Sequence, residues 1–214
     1  MQRRAFLTAI FSGAAALTVT ADEARASFFE DIWAKERGRK VSGDKSGKTR
    51  KLSNDRTRPI KYKGRQTVTF ASNEQPGTII VKTNERALYY ILGNGKAVRY
   101  GVAVGKEGFS WSGTARVGMK RENPRWTPPP EMIERTPKYA KWANGMPGGI
   151  PENPLGVRAI YLFNKGGDTG FRIHGTNAPS SIGTAASSGC IRMLNQEVTE
   201  LYDKVKVGTK VIVF

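Results

Sequence analysis

From residue 67 onward, apolar and polar positions follow the period of two that marks half-buried strands. The runs 78–83 and 87–92 are rich in Ile, Val, Leu and Tyr, and Asn94-Gly95 separates the second run from 97–104 with a strong hairpin signal. Further β-like runs occupy 113–117, 159–163 and 210–214. One helix is expected, because Val198, Leu201, Tyr202 and Val205 recur at i, i+3, i+4 and i+7. Asn195 is placed to cap it, Glu197 lies in its first turn, Lys204 and Lys206 lie near its end, and Gly208 can terminate it. Between 121 and 154 the pattern lapses into Asn123-Pro124-Arg125-Trp126-Thr127-Pro128-Pro129-Pro130, followed by Met132, Tyr139 and Trp142. This predicts a long loop outside the core, a lid or a binding loop. A single proline run is a weak basis for a docking ligand.

The first 26 residues break with that pattern. Arg3-Arg4 precedes an apolar, small-residue run over 5–21, and Ala24-Arg25-Ala26 supplies an A-x-A cleavage site, so 1–26 reads as an export signal. The run is short and diluted with Thr, Ser and Gly, unlike a membrane anchor. Arg3-Arg4-Ala5-Phe6-Leu7 is similar to a twin-arginine core, with Gln2 and Thr8 in place of its usual flanks, which leaves the export route open.

Phe28, Phe29, Ile32 and Trp33 then form a short apolar patch at helical spacing. Residues 35–65 carry thirteen Lys and Arg against three acidic residues, a net +10 with little to bury. The expected organisation is therefore a signal over 1–26, a flexible basic linker over 27–66 and a folded domain over 67–214. The linker suits either a tether to an anionic surface or a solvated spacer.

Charge narrows the partners only partly. The chain carries +17, and removal of 1–26 takes away three arginines and two carboxylates, leaving +16. An anionic partner is implied. No basic motif is interleaved with aromatic residues, so nucleic acid is not expected, and contact with a membrane is expected only during export. The expected compartment is the periplasm.

The chain holds one histidine and one cysteine. An exported protein with a lone Cys190 has no intramolecular disulfide, so Cys190 is a packing residue, an intermolecular link or a reactive thiol. Alternation along Phe171-Arg172-Ile173-His174 puts His174 on the polar face, and the same period along Gly189-Cys190-Ile191-Arg192-Met193 pairs Cys190 with Arg192. A free thiol with a pKa of about 8.5 is a poor nucleophile at neutral pH, and an adjacent imidazole activates it. Gly189 permits close approach, and the Gly189 and Cys190 N–H groups are candidate oxyanion donors. Arg192 can grip a substrate carboxylate, while Ser187 and Ser188 can orient His174 or the substrate. One His and one Cys leave a zinc ion short of ligands, so no metal is expected and no cofactor is required.

Three stretches resemble the signature of L,D-transpeptidases with a YkuD-type catalytic domain: Arg172-Ile173-His174-Gly175-Thr176-Asn177, Ile182-Gly183, and Ser187-Ser188-Gly189-Cys190-Ile191-Arg192-Met193. Asn153-Pro154-Leu155-Gly156, Trp126-Thr127-Pro128-Pro129-Pro130 and Val207-Gly208-Thr209 match as well. The resemblance implies a mainly β fold, a β-sandwich of mixed sheets with one or two short helices and a long lid. It implies a cysteine acyltransferase of peptidoglycan stem peptides. Cys190 would attack the L-centre carbonyl of diaminopimelate, release D-alanine and pass the acyl group to an amine, either a second diaminopimelate or an envelope protein.

In that pattern His174 is the base and acid, Gly175 orients it through its carbonyl, Ser188, Gly189 and Cys190 form the nucleophile loop, and Arg192 and Trp126 belong to the substrate-binding set. Two departures stand out. Ser188 occupies a position that is often histidine, and Ser110-Trp111-Ser112-Gly113-Thr114 replaces a proline- and threonine-rich stretch. NlpC-type peptidases place Cys before His, and sortases typically space His and Cys more widely, with the arginine further beyond the cysteine. If water resolved the thioester the enzyme would be an L,D-carboxypeptidase. Without turnover the chain would be a peptidoglycan-binding module.

Overall fold

The computed structural model describes residues 59–106 and 111–214. The expected export signal over 1–26, and the expected linker as far as 58, lie outside the described residues.

Eleven strands are present among the described residues: β1 (Gln66–Thr69), β2 (Ile79–Lys82), β3 (Ala87–Gly93), β4 (Lys96–Gly101), β5 (Val104–Gly105), β6 (Gly113–Glu122), β7 (Arg158–Asn164), β8 (Gly167–His174), β9 (Ala185–Ser187), β10 (Ile191–Arg192) and β11 (Lys210–Val213). The helices are α1 (Pro130–Arg135) and α2 (Asn195–Lys204). Nine strands form one mixed sheet in the order β1-β4-β3-β2-β11-β6-β7-β8-β10, while β5 and β9 form a two-stranded ribbon. The fold is thus mainly β, as the strand pattern predicted, and mixed, as the resemblance implied. Asn94 and Gly95 both adopt positive φ, 51° and 68°, as the two-residue turn between β3 and β4 requires.

The last strand joins the two halves of the sheet. β11 pairs parallel with β2 and antiparallel with β6. Val98 and Tyr100 near one edge share a buried cluster with Ile173 and Ile191 near the other. The sheet therefore curls until its halves face each other across one core, the usual outcome for a sheet this wide. The apolar stripe of α2, Val198 and Leu201, with Val205 just beyond, fills the same cluster. A second cluster, Ile80, Ala87, Tyr89, Ile91 and Ala97, lies on the opposite face of β2–β4, where Val68 and Phe70 cover it.

Three details differ from the sequence reading. Leu194, not Asn195, occupies the N-cap position of α2, which makes no side-chain cap hydrogen bond. The Asn195 oxygen instead accepts the Thr176 N–H at 3.1 Å. At the other end of α2 the Lys120 ammonium donates to the Tyr202 and Val205 carbonyls at 2.5 and 2.6 Å, and Gly208 (φ 91°) turns the chain into β11 rather than ending the helix.

The folded unit also starts before 67. The Ile60 N–H donates to the Gly183 carbonyl (2.9 Å), the Tyr62 hydroxyl to Glu197 (2.6 Å) and Arg65 to Glu200 (2.8 Å). These anchors lie inside the segment expected to be linker. A few well-placed groups dock a segment that its net charge alone marks as solvated.

Candidate functional site

β8 and β10 run parallel, with Ile191 opposite Ile173 and Arg192 opposite His174. Ile173 and Ile191 enter the core. Alternation then sends His174 and Arg192 to the opposite face. Cys190 precedes β10 by one residue, and the same alternation returns it to the His174 face, level with Arg172. β10 is only two residues long but is clamped on both sides: Ala103 and Arg192 exchange both backbone hydrogen bonds at 2.9 Å, and the Met193 N–H donates to the His174 carbonyl at 2.8 Å.

The imidazole has a defined orientation. His174 Nδ1 lies 2.6 Å from the Gly175 carbonyl, and because a carbonyl only accepts, Nδ1 carries the proton and Nε2 is the basic nitrogen. His174 is 3% exposed, and burial, reinforced by the Arg192 charge, lowers its pKa from 6.5 to about 4. It is neutral at pH 7. Burial pushes the half-buried Cys190 thiol up, against the opposing pull of Arg172, its backbone N–H, and Arg192. The resting pair is a thiol and a neutral imidazole.

Ser187 and Gly189 shape the turn ahead of the thiol. Buried Ser187 Oγ accepts the Gly189 N–H at 3.1 Å and donates to the Cys190 carbonyl at 2.5 Å, while Gly189 takes φ 116°, a region that favours glycine. Two expectations change here. The Ser187 hydroxyl is engaged within the loop, and the Gly189 N–H, read as an oxyanion donor, donates to Ser187. The Cys190 N–H makes no backbone hydrogen bond among the described residues. Ser188 is exposed on the outside of the turn.

Close packing holds the His174 end. A Cβ on Gly175 would meet the Asn195 oxygen at 2.1 Å and one on Gly156 would meet the same atom at 2.2 Å, so both backbones close on Asn195. Leu155, next in the chain to Gly156, turns its carbonyl toward the imidazole.

The long loop over 123–156 contains α1 and a 3-10 helix, Pro137–Trp142. Trp126 and Met146 exchange backbone hydrogen bonds at 3.0 and 2.6 Å. Asn153, 0% exposed, donates to the Pro124 and Pro147 carbonyls, both at 2.9 Å, and accepts the Leu155 N–H. Met146 is also fully buried, so the segment read as lying outside the core has a buried centre of its own. Tyr139 meets Trp126 edge-on at 5.3 Å and lies within electrostatic reach of Arg192.

Sequence reasoning missed Arg172, Asn195, Asn153 and Tyr139. Arg172 was legible as a face-mate of His174, and Asn153 stood in a noted motif without a role. On the core side of β8, Trp111 stacks on Phe171 at 5.6 Å, while its neighbour Ser110 lies outside the described residues. No group of three or more His, Cys, Asp or Glu among the described residues could hold a metal ion. No helix among them is long and apolar enough to cross a membrane.

The sequence model of the L,D-transpeptidase catalytic domain, YkuD, matches residues 76–213. The chain is 39% identical over 148 residues to the putative L,D-transpeptidase YqjB of Bacillus subtilis, covering 67% of this chain and 76% of that one. It is 36% identical over 141 residues to the probable L,D-transpeptidase ErfK/SrfK of Escherichia coli, covering 62% of this chain. It spans 42% of the length of that relative and 47% of the probable L,D-transpeptidase YbiS of Escherichia coli, under half of each. A crystal structure from Brucella melitensis, described as a probable carnitine operon oxidoreductase, is 47% identical and covers 76% of this chain and 99% of that one, with a TM-score of 0.48.

Proposed function

The chain belongs to the L,D-transpeptidase (YkuD) family, and from that premise we propose that it is a cysteine acyltransferase of peptidoglycan stem peptides with Cys190 as nucleophile and His174 as base and acid. The observation that supports the reading is the pairing of β8 with β10, which sets Arg192 opposite His174 with Cys190 two residues before Arg192, while His174 Nδ1 is tied to Gly175 and Nε2 is left as the basic nitrogen.

The donor is a tetrapeptide stem. Sγ attacks the carbonyl of the L-centre of diaminopimelate as its proton passes to His174 Nε2. Because the imidazole is a weak base, proton transfer accompanies bond formation rather than preceding it. The oxyanion accepts a hydrogen bond from the Cys190 N–H. The intermediate collapses, the C–N bond to D-alanine breaks, and the imidazolium returns the proton to the departing amine. A low pKa makes it an effective acid for that step.

The thioester then receives an acceptor amine, whose proton goes to His174 while Sγ departs as thiolate. His174 reprotonates Sγ and closes the cycle. The acceptor is a second diaminopimelate, giving a 3-3 crosslink, or a side chain of an envelope protein. Arg192 binds a stem-peptide carboxylate beneath Tyr139 and Trp126. The signal over 1–26 delivers the enzyme to the periplasm, and it needs neither metal nor cofactor.

The test is incubation with tetrapeptide muropeptides followed by mass spectrometry. Crosslinked dimers and free D-alanine are expected from wild type and not from Cys190→Ala. Product undiminished in that variant, or none from wild type, would overturn the reading. Trimmed tripeptides alone would identify water as the acceptor.

A further inference from the structure

Continuing the β8–β10 register back by one residue sets four side chains on one face in a square. Arg192 stands beside His174, and the continued register sets Cys190 beside Arg172, whose backbone N–H reaches it. Neighbours across the strands are about 4.8 Å apart, and those along each strand about 6.6 Å. Thiol and imidazole take one diagonal and the two arginines the other, so each reactive group has both arginines as neighbours. The proposed mechanism uses Arg192 and leaves Arg172 without a part.

Arg172 is not a free clamp. Its Nη1 and Nη2 donate to Asp168 Oδ1 and Oδ2 at 2.7 and 2.8 Å, and Nη1 also donates to the Phe171 carbonyl at 2.9 Å. The guanidinium lies over the Tyr161 ring, 4.3 Å from its centre, and the side chain is 12% exposed. Both terminal nitrogens are committed, so no fork remains for a substrate carboxylate. What remains is a rigid positive charge that needs no reorganisation when negative charge develops nearby.

We propose that Arg172 is a second cation of the nucleophile site, a positioning charge that acts through Cys190 by stabilising negative charge on its sulfur, with Asp168 and Tyr161 holding the guanidinium in place. The inference rests on the reading of Cys190 as the nucleophile. The charged groups acting on the sulfur are Arg172 and Asp168 from β8 and Arg192 from β10; His174 shares the face of β8 with Arg172, and Tyr139 of the long loop lies near Arg192. Asp168 sits four residues before Arg172 on β8 and opposes it more weakly than Arg172 acts.

The experiment is the pH profile of Cys190 alkylation by iodoacetamide in the full chain, read by mass spectrometry, with thermal melts as a check on folding. Arg172→Gln should raise the midpoint by about one unit, roughly a tenfold loss of thiolate at neutral pH. Arg172→Lys should restore most of that shift. Asp168→Asn keeps a side-chain oxygen to accept from the guanidinium, which also stays over the Tyr161 ring, and removes only the opposing charge. It should therefore lower the midpoint, a direction that mere loosening of the site does not produce, and it decides the matter even if Arg172→Gln fails to fold. An unmoved midpoint in Arg172→Gln, or a raised one in Asp168→Asn, overturns the inference. Alkylation needs no peptide turnover, so the expected shifts in a wild type and variants that form no product would uphold this inference while overturning the transpeptidase reading.

Discussion

Ser187 Oγ closes a four-residue turn onto Cys190, accepting the Gly189 N–H and donating to the Cys190 carbonyl. One buried hydroxyl thereby fixes the backbone on both sides of the thiol. Its removal separates the loop's geometry from the thiol's chemistry.

Ser187→Ala leaves a buried N–H and a carbonyl without partners, a cost of about 1 to 3 kcal/mol. The expected result is a lower melting temperature and acyl transfer slowed about tenfold, with Cys190 still alkylated by iodoacetamide. Wild-type transfer rates in this variant would show that the turn is held by other contacts.

The buried neutral imidazole makes stability depend on pH. Its folded pKa, about 4, lies below its ordinary 6.5, so between those values the unfolded chain binds more protons than the folded one. Stability is then fully present above pH 6.5, falls as pH drops through the window, and loses about 3 kcal/mol by pH 4. Urea unfolding at pH 4.5 and 7.5 should show this slope, and His174→Asn should flatten it. Equal slopes in the two proteins would refute the assignment to His174.

Gly175→Ala sets a methyl 2.1 Å from the Asn195 oxygen. It should cost several kcal/mol and abolish turnover, because the displaced backbone carries the carbonyl that orients His174. Asn195→Ala alone should cost about 1 to 2 kcal/mol through the orphaned Thr176 N–H. The double variant should be more stable than the sum of the two losses. Simple additivity in denaturant unfolding would mean that the two residues do not compete for one space.

Asn153→Ala strips three hydrogen bonds from the centre of the long loop, a loss of about 2 to 3 kcal/mol. The nucleophile is untouched, so alkylation of Cys190 should persist while KM for stem peptides rises. A drop in alkylation equal to the drop in turnover would indicate that the loop shapes the thiol itself.

Much of the site was legible because strand alternation is a local property. The four residues ending at His174 and the five from Gly189 to Met193 suffice to state which face each side chain takes, and Ile173 and Ile191 do enter the core. Asn195 shows where local reasoning ends. Its type and place suit a helix cap, but the Thr176 N–H lies close in the folded chain and takes the oxygen. Residues 59–65 show the same limit, since composition marks them as solvated while Tyr62 finds Glu197, 135 positions away.

The sequence by itself determined the β periodicity, the hairpin at Asn94-Gly95, the amphipathic stripe of α2, and the faces of His174 and Cys190, because steric and hydrophobic preferences act over a few neighbouring residues. Only the tertiary structure decided that β11 joins the two halves of the sheet, that β10 lies beside β8 in a register setting Cys190 against Arg172, and that Asn153 gathers the long loop. Those are pairings between distant segments. Many alternatives share the same local pattern, and the single packed core selects among them.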